Sequence, residues 1–428
     1  MSDQTAAGLS AQGNESIDPR VAAKERGILR ELAQRLAELA ARPEEQSRRD
    51  LWYQHNDLEP TRPLIFCDPE NGWNEIITPD QMLCEGQLAR GWEMKLRKEI
   101  FWAETMGDDR VAEADFVVNH CFTETDWGMH ETKIGGNSGG SYRWDAPLKN
   151  YVGLADLRFP QISVDAQATE RLMRTAAEVL GDILKVVLRG SWWWTLGMTW
   201  TLINLRGLEQ ILLDMYDHPQ ELHRLMQFLR DGHLAKLDYL EKNGLLSLNN
   251  DGTYVGSGGF GYTSELPQPG FDGKNVRTQD TWGFAESQET STVSSELFAE
   301  FVFQYQLPIL ERFGLNCYGC CEPLDQRWEV VKQVPRLRRV SVSAWCDLER
   351  MARNLGANYL CSLKPNPAHL AVRHIDEDWI RRDVRRMLKA TRDCRVEIIM
   401  KDNHTIGGNP QNVIRWCEIA QQEAGKYR

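Results

Sequence analysis

Short apolar runs rich in β-branched residues alternate along this chain with longer amphipathic stretches, the grammar of parallel strands covered by helices. Eight such runs stand out: Pro63–Cys67, Asp115–His120, Ile183–Arg189, Leu245–Asn250, Leu315–Cys320, Arg338–Trp345, Ala357–Leu363 and Arg395–Lys401. Between them the apolar spacing turns helical, as at Leu208, Ile211, Leu212 and Met215, and again over Pro219–Leu229. A first helix is signalled by Asp18 as cap, Pro19 at the first turn and the stripe Ile28, Leu32, Leu36, Leu39, and it ends near Pro43. Asn409 and Pro410 open the last helix.

This pattern predicts an α/β fold, a (β/α)8 TIM barrel. It divides the chain into a disordered tail (1–15), an N-terminal helical extension (16–55) and one barrel (56–428). In such a barrel the chemistry sits at the C-terminal strand ends. The stretch Gly252–Ser295, with eight glycines and two prolines, is too long for an ordinary βα loop and reads as a β4-α4 lid over 252–295. Shorter insertions at Asp68–Pro79 and Thr123–Tyr142 follow strand ends and fall on the same rim.

The 428 residues carry 62 acidic against 50 basic side chains, a formal charge of −12, and no basic block. That balance argues against nucleic acid as a partner. Trp192–Leu205, the most apolar stretch, is broken by Thr195, Gly197, Thr199, Thr201 and Asn204, so no bilayer span is expected. The first fifteen residues lack the pattern of a secretory signal, and the expected location is cytoplasmic. There the 10 cysteines are expected reduced, as packing thiols or metal ligands rather than disulfides.

Two glycine-rich spellings are set aside. Gly256-Ser257-Gly258-Gly259-Phe260-Gly261 imitates a dinucleotide fingerprint, but Leu266-Pro267 follows where a helix must begin. Gly136-Asn137-Ser138-Gly139-Gly140 imitates a nucleophile elbow without the strand before it or the helix after it. Among the 15 tryptophans, Trp192-Trp193-Trp194 begins at a strand end, where at least one ring is expected to face the barrel mouth.

The fifth run, Leu315 to Pro323, holds Cys317, Cys320, Cys321 and Glu322, and alternation places Cys320 and Glu322 on one side. The eighth ends in Lys401-Asp402-Asn403-His404-Thr405. A thiolate, a carboxylate and an imidazole make a three-ligand zinc site with an open position, so the expected Zn2+ ligands are Cys320, Glu322 and His404, with Cys321 replacing Cys320 if the chain bulges after Gly319. The alternative is structural: buried thiols, Glu322 as a helix cap near Pro323, and His404 as a loop residue.

The order of several short motifs resembles the uroporphyrinogen decarboxylase-like superfamily, and within it the corrinoid-linked (cobalamin-dependent) methyltransferases of the O-demethylase type. It rests on Asn56-Asp57-Leu58-Glu59-Pro60 leading into Arg62-Pro63, on Leu205 to Asp214, on the Cys317–Glu322 strand, on Lys364-Pro365-Asn366-Pro367 and on the Asn409-Pro410 helix. In the zinc methyltransferases of that superfamily the fifth strand ends in His-x-Cys and the eighth supplies a further Cys. By position Cys320 falls at the His, Glu322 at the first Cys and His404 near the last, a permuted ligand set. The decarboxylases carry arginines after the first strand, whereas here Cys67-Asp68-Pro69-Glu70-Asn71 follows.

The resemblance implies transfer of a methyl group from a small methylated aromatic donor, such as an aryl methyl ether, to a corrinoid. Asp231-Gly232-His233 does not continue into an Asp-x-His-x-x-Gly motif, so the corrinoid (cobalamin) would ride on a separate partner protein. Tyr254, Trp282 and Trp192 would sandwich the donor ring, while Asn250, Asp251, Gln288 and His120 would bond its substituents. Glu322, His404 and Asp251 are the catalytic candidates. Two other readings stay open: a metal-free decarboxylase or lyase working through Asp251 and His120, and a non-catalytic small-molecule-binding barrel. A homodimer is one assembly open to either.

Overall fold

The computed structural model describes residues 20–135 and 142–427. The expected tail 1–15, the Asp18-Pro19 start signal and the Gly136–Gly140 motif lie outside them. Helix α1 (Ala23–Ala40) has no side-chain cap at Ala22; instead Glu25 accepts the Ala22 N–H at 3.0 Å. Helix α2 (Pro43–Asn56) follows, with proline in its first turn.

Eight strands carry the parallel pairing: β1 Leu64–Cys67, β2 Asp115–Asn119, β3 Lys185–Arg189, β4 Trp282–Ala285, β5 Leu315–Tyr318, β6 Leu337–Val342, β7 Leu360–Leu363 and β8 Arg395–Met400. Six form one parallel sheet in the order β1-β8-β7-β6-β5-β4, and β2 pairs in parallel with β3. Spatial neighbours are thus chain neighbours, with the last strand beside the first. Among the described residues the ladders do not run between β1 and β2 or between β3 and β4. Side chains stand in at both seams. Asp109 accepts Ile65 N–H at 2.7 Å and Asp108 accepts Cys67 N–H at 3.0 Å along the free edge of β1. Asn249 accepts from Trp282 N at 2.9 Å and donates to Trp282 O at 3.1 Å along β4.

Two expectations are corrected here. Leu245–Asn250 is not a strand, because Asn249 meets β4 through its amide and Arg189 reaches Leu248 O at 2.9 Å, leaving no backbone ladder. The stretch 252–295 is not a separate lid. It supplies β4, and Val255 to Thr263 is buried against the inner face of the sheet.

Alternation explains that face. Ile65, Ile398, Cys361, Val340, Tyr318 and Ala285 point to the apolar layer under the covering helices. Phe66 and Ile399 pack inward with Phe260 and Tyr262, and Trp282, Phe284 and Cys317 pack inward with Val255 and Cys320. The glycines of the 252–263 loop permit this close approach. A Cβ at Gly259 (φ 122°) would lie 2.9 Å from the Arg339 guanidinium carbon, and one at Gly261 would lie 1.7 Å from Asn249 O. Below the loop, Arg339 pairs with Glu397 at 2.9 Å and donates to Asn56 Oδ1 at 2.7 Å, while His55 stands 3.4 Å from Glu397.

Candidate functional site

The strand ends deliver a compact charged cluster. After β5, Gly319 takes φ 90°, which turns the chain so that Cys320 is 3% exposed and Cys321 is open to solvent. The Sγ of Cys320 receives a hydrogen bond from Ser257 Oγ at 3.1 Å and lies 3.7 Å from Lys401 Nζ, which follows β8. It is 3.5 Å from the Sγ of Cys321, which also lies 3.3 Å from Asp402 Oδ2. Lys401 closes the ring by binding Asp402 Oδ1 at 2.8 Å.

The electrostatics follow from these contacts. The Cys321 hydrogen bond and then the Lys401 charge, working against burial, hold the Cys320 thiol below its ordinary value, while the same bond pushes Cys321 up. Burial alone would discharge Lys401. Cys320 and then Asp402 beside it hold it well above its ordinary value. After β1, burial and then Asp68 push the Glu70 carboxyl up to about 7. Glu70 (φ 48°) and Asp402 (φ 62°) are both held in the left-handed region, a conformation that costs about 1–3 kcal/mol per residue.

The predicted zinc set does not assemble. Glu322 is buried, but it accepts backbone N–H groups of Ser287 at 2.8 Å and Cys320 at 2.9 Å, so it serves as a local cap. His404 is exposed and lies 3.4 Å from Asn71 Nδ2. Among the described residues no group of three or more His, Cys, Asp or Glu side chains is arranged to hold a metal ion. Of the four expected ligands only Cys320 and Cys321 meet, and the donor set does not fit zinc.

The expected donor pocket is dispersed too. Trp192 is buried, donates to Leu245 O at 3.0 Å and packs on His120 and Phe122 at 5.4 and 4.6 Å. His120 leaves Nδ1 without a partner, and burial lowers its pKa. Trp282 lies on the inner sheet face, bonded to Gly261 O at 2.9 Å with the Arg339 guanidinium 5.3 Å from its ring. Asn250 binds Leu266 O at 2.7 Å. Asp251 is tied to Arg189 at 2.5 Å and accepts from Thr253 N at 2.9 Å. Gln288 is half-buried, its N–H held by Glu286 at 2.9 Å. Of this group Tyr254 alone, 37% exposed, stands among Lys401, Asp68 and Glu70.

Sequence reasoning passed over Lys401, Asp402, Asp68 and Glu70, although all four lie within three residues of the end of a correctly placed strand. It also passed over Glu286 and Glu289, whose buried Oε1 atoms lack partners. Burial and then the Glu289 and Glu322 charges hold the Glu286 carboxyl well above its ordinary range.

No family model and no curated protein matches this chain. Among solved structures, a methyltransferase from Methanosarcina mazei superposes over 88% of this chain and 97% of that chain, with a TM-score of 0.48 and 10% sequence identity. No helix of the described residues is long and apolar enough to cross a membrane.

Proposed function

We propose that the chain is a methyltransferase that takes a methyl group from a small methylated donor, an aryl methyl ether above all, and passes it to a corrinoid carried by a separate protein. The eight strands are read as the staves of one (β/α)8 barrel, with the reaction at their C-terminal ends. The observation that carries the reading is the meeting of Cys320, Lys401, Asp402, Asp68 and Glu70 at the ends of β5, β8 and β1.

Breaking a methyl ether leaves an aryloxide, and the chief demand on the protein is to neutralise it. The reduced corrinoid of the partner would supply the nucleophile. Glu70, its carboxyl raised to about 7 and so half protonated at neutral pH, is suited to give its proton to the leaving oxygen, and the Lys401 ammonium is suited to stabilise the developing negative charge. Tyr254, backed by the buried Phe66 ring 6.1 Å away, offers apolar surface beside these charges. Cys320 Sγ and Asp402 fix the Lys401 head group.

The reading is tested by mixing the purified protein with reduced cobalamin and a panel of methoxylated aromatics, following methylcobalamin by its absorbance. Methyl transfer with at least one ether, lost in Lys401→Met, supports it. Decarboxylation of an aromatic acid without any methyl transfer would favour the lyase alternative.

A further inference from the structure

The Lys364-Pro365-Asn366-Pro367 run has no part in that mechanism. Lys364 directly follows β7, and alternation from Ser362 turns it to the inner face, at the same end of the sheet as Cys320 and Lys401. It is 7% exposed. Its Nζ donates to Ser362 Oγ at 2.5 Å and to Ser362 O at 3.3 Å, and among the described residues it forms no ion pair. Buried lysines without a carboxylate partner are rare, because a desolvated ammonium costs several kcal/mol.

The hydrogen-bond directions fix the amine. Ser362 Oγ gives its proton to Glu397 Oε1, so only its lone pairs face Lys364. Lys401, a second cation close to Lys364, is already bound to Asp402 and stays charged. A desolvated lysine beside another cation is the arrangement that makes an amine nucleophilic.

We propose that Lys364 is an amine nucleophile that condenses with a small aldehyde to form an imine. The Nζ lone pair attacks the carbonyl carbon, the C–N bond forms and the carbonyl π pair passes to oxygen. One proton moves from nitrogen to that oxygen to give the carbinolamine, whose hydroxyl then leaves as water with the second proton from nitrogen, leaving a C=N bond. One amine and one aldehyde give one imine and one water, with no oxidant or reductant. This site is independent of the methyl-transfer reading. Burial, opposed by the Glu397 and Cys320 charges and reinforced by Lys401 and Arg339, pulls the amine down to about 8, so its neutral fraction at pH 7 is on the order of 100-fold above that of an ordinary lysine.

The test uses the full chain, glycolaldehyde and sodium cyanoborohydride at pH 7, with peptide mapping by mass spectrometry. The expected result is that Lys364 is reductively alkylated at least tenfold faster than exposed lysines, with a rate half-maximal near pH 8 that moves upward in Lys401→Met. Lys364→Arg should remove that adduct alone. Labelling of exposed lysines with Lys364 unmodified, or Lys364 labelled no faster than they are, would overturn the proposal. The wild-type map decides the matter even if a variant fails to fold.

Discussion

The ammonium of Lys401 stands 3.7 Å from the sulfur of Cys320, joining the ends of β8 and β5 across the sheet. This contact explains how a thiol that is 3% exposed is held toward its charged form, because the desolvation that would protonate it is offset by a hydrogen bond from Cys321 and by a fixed cation. Removing either influence should therefore raise the thiol pKa. Alkylation of Cys320 by iodoacetamide, mapped by mass spectrometry across pH 6 to 10, is expected to shift to higher pH in Lys401→Met and in Cys321→Ser. An unchanged profile in both variants would remove the thiolate from the account.

Glu70 sets the pH dependence. Its carboxyl, raised to about 7, is protonated below that value and ionised above it. If it acts as the general acid, kcat for methyl transfer falls about tenfold per pH unit above 7. Glu70→Gln should lower the plateau by about 10²- to 10⁴-fold and abolish that limb. A wild-type rate flat from pH 6 to 9 would assign the proton to another group.

Legibility of the chain divides along physical lines. Seven of the eight expected runs are strands, since a buried parallel strand must be apolar on both faces and therefore announces itself. Trp282–Ala285 escaped notice because Gly283 and the glycine-rich chain before it look like loop. That glycine is required, since a Cβ there would meet Phe313 and the Asn316 amide at 2.5 Å. Cys320 was legible from its place beyond β5. The pairing with Glu322 was not, because Gly319 at φ 90° breaks the alternation that would have kept the two side chains together. Asp402 at φ 62° does the same beyond β8, so Lys401 rather than His404 reaches the cluster.

The glycine-rich stretch after Gly252 spells a lid in the sequence, yet its glycines serve packing. Gly259→Ala should destabilise the fold by about 1–3 kcal/mol for its φ of 122° alone, with the Arg339 clash added. Gly91→Ala, in the helix Gln87–Phe101 with nothing within 4 Å of the new methyl, should stabilise by about 0.5–1 kcal/mol. Urea unfolding of both variants measures the contrast. Equal effects would mean that the loop does not pack as described.

Beneath the loop, Arg339 and Glu397 are both buried, and Arg339, His55 and Lys364 together hold the Glu397 carboxyl far below its ordinary range despite burial. A depressed carboxylate contributes stability that is fully present above the unfolded value of about 4.3 and is lost as pH falls below it. Arg339→Met leaves Glu397 without its main partner and should cost about 3–5 kcal/mol at pH 7. Glu397→Gln should flatten the acid limb of stability between pH 5 and 2. Chemical denaturation across that range would show the flattening, and an unaltered limb would place the acid sensitivity elsewhere.

The central claim is methyl transfer at the Cys320–Lys401–Glu70 cluster, and the most direct measurement follows the methyl group itself. Wild type, Lys401→Met and Glu70→Gln are each incubated with an aryl ether carrying an isotopically labelled methyl and with a reduced corrinoid protein, and the label is traced. The account predicts label on the corrinoid and free phenol in equal amounts with wild type, and a loss of about 100-fold or more in each variant. Label that stays on the ether with wild type for every donor, or moves as fast in both variants, would contradict it.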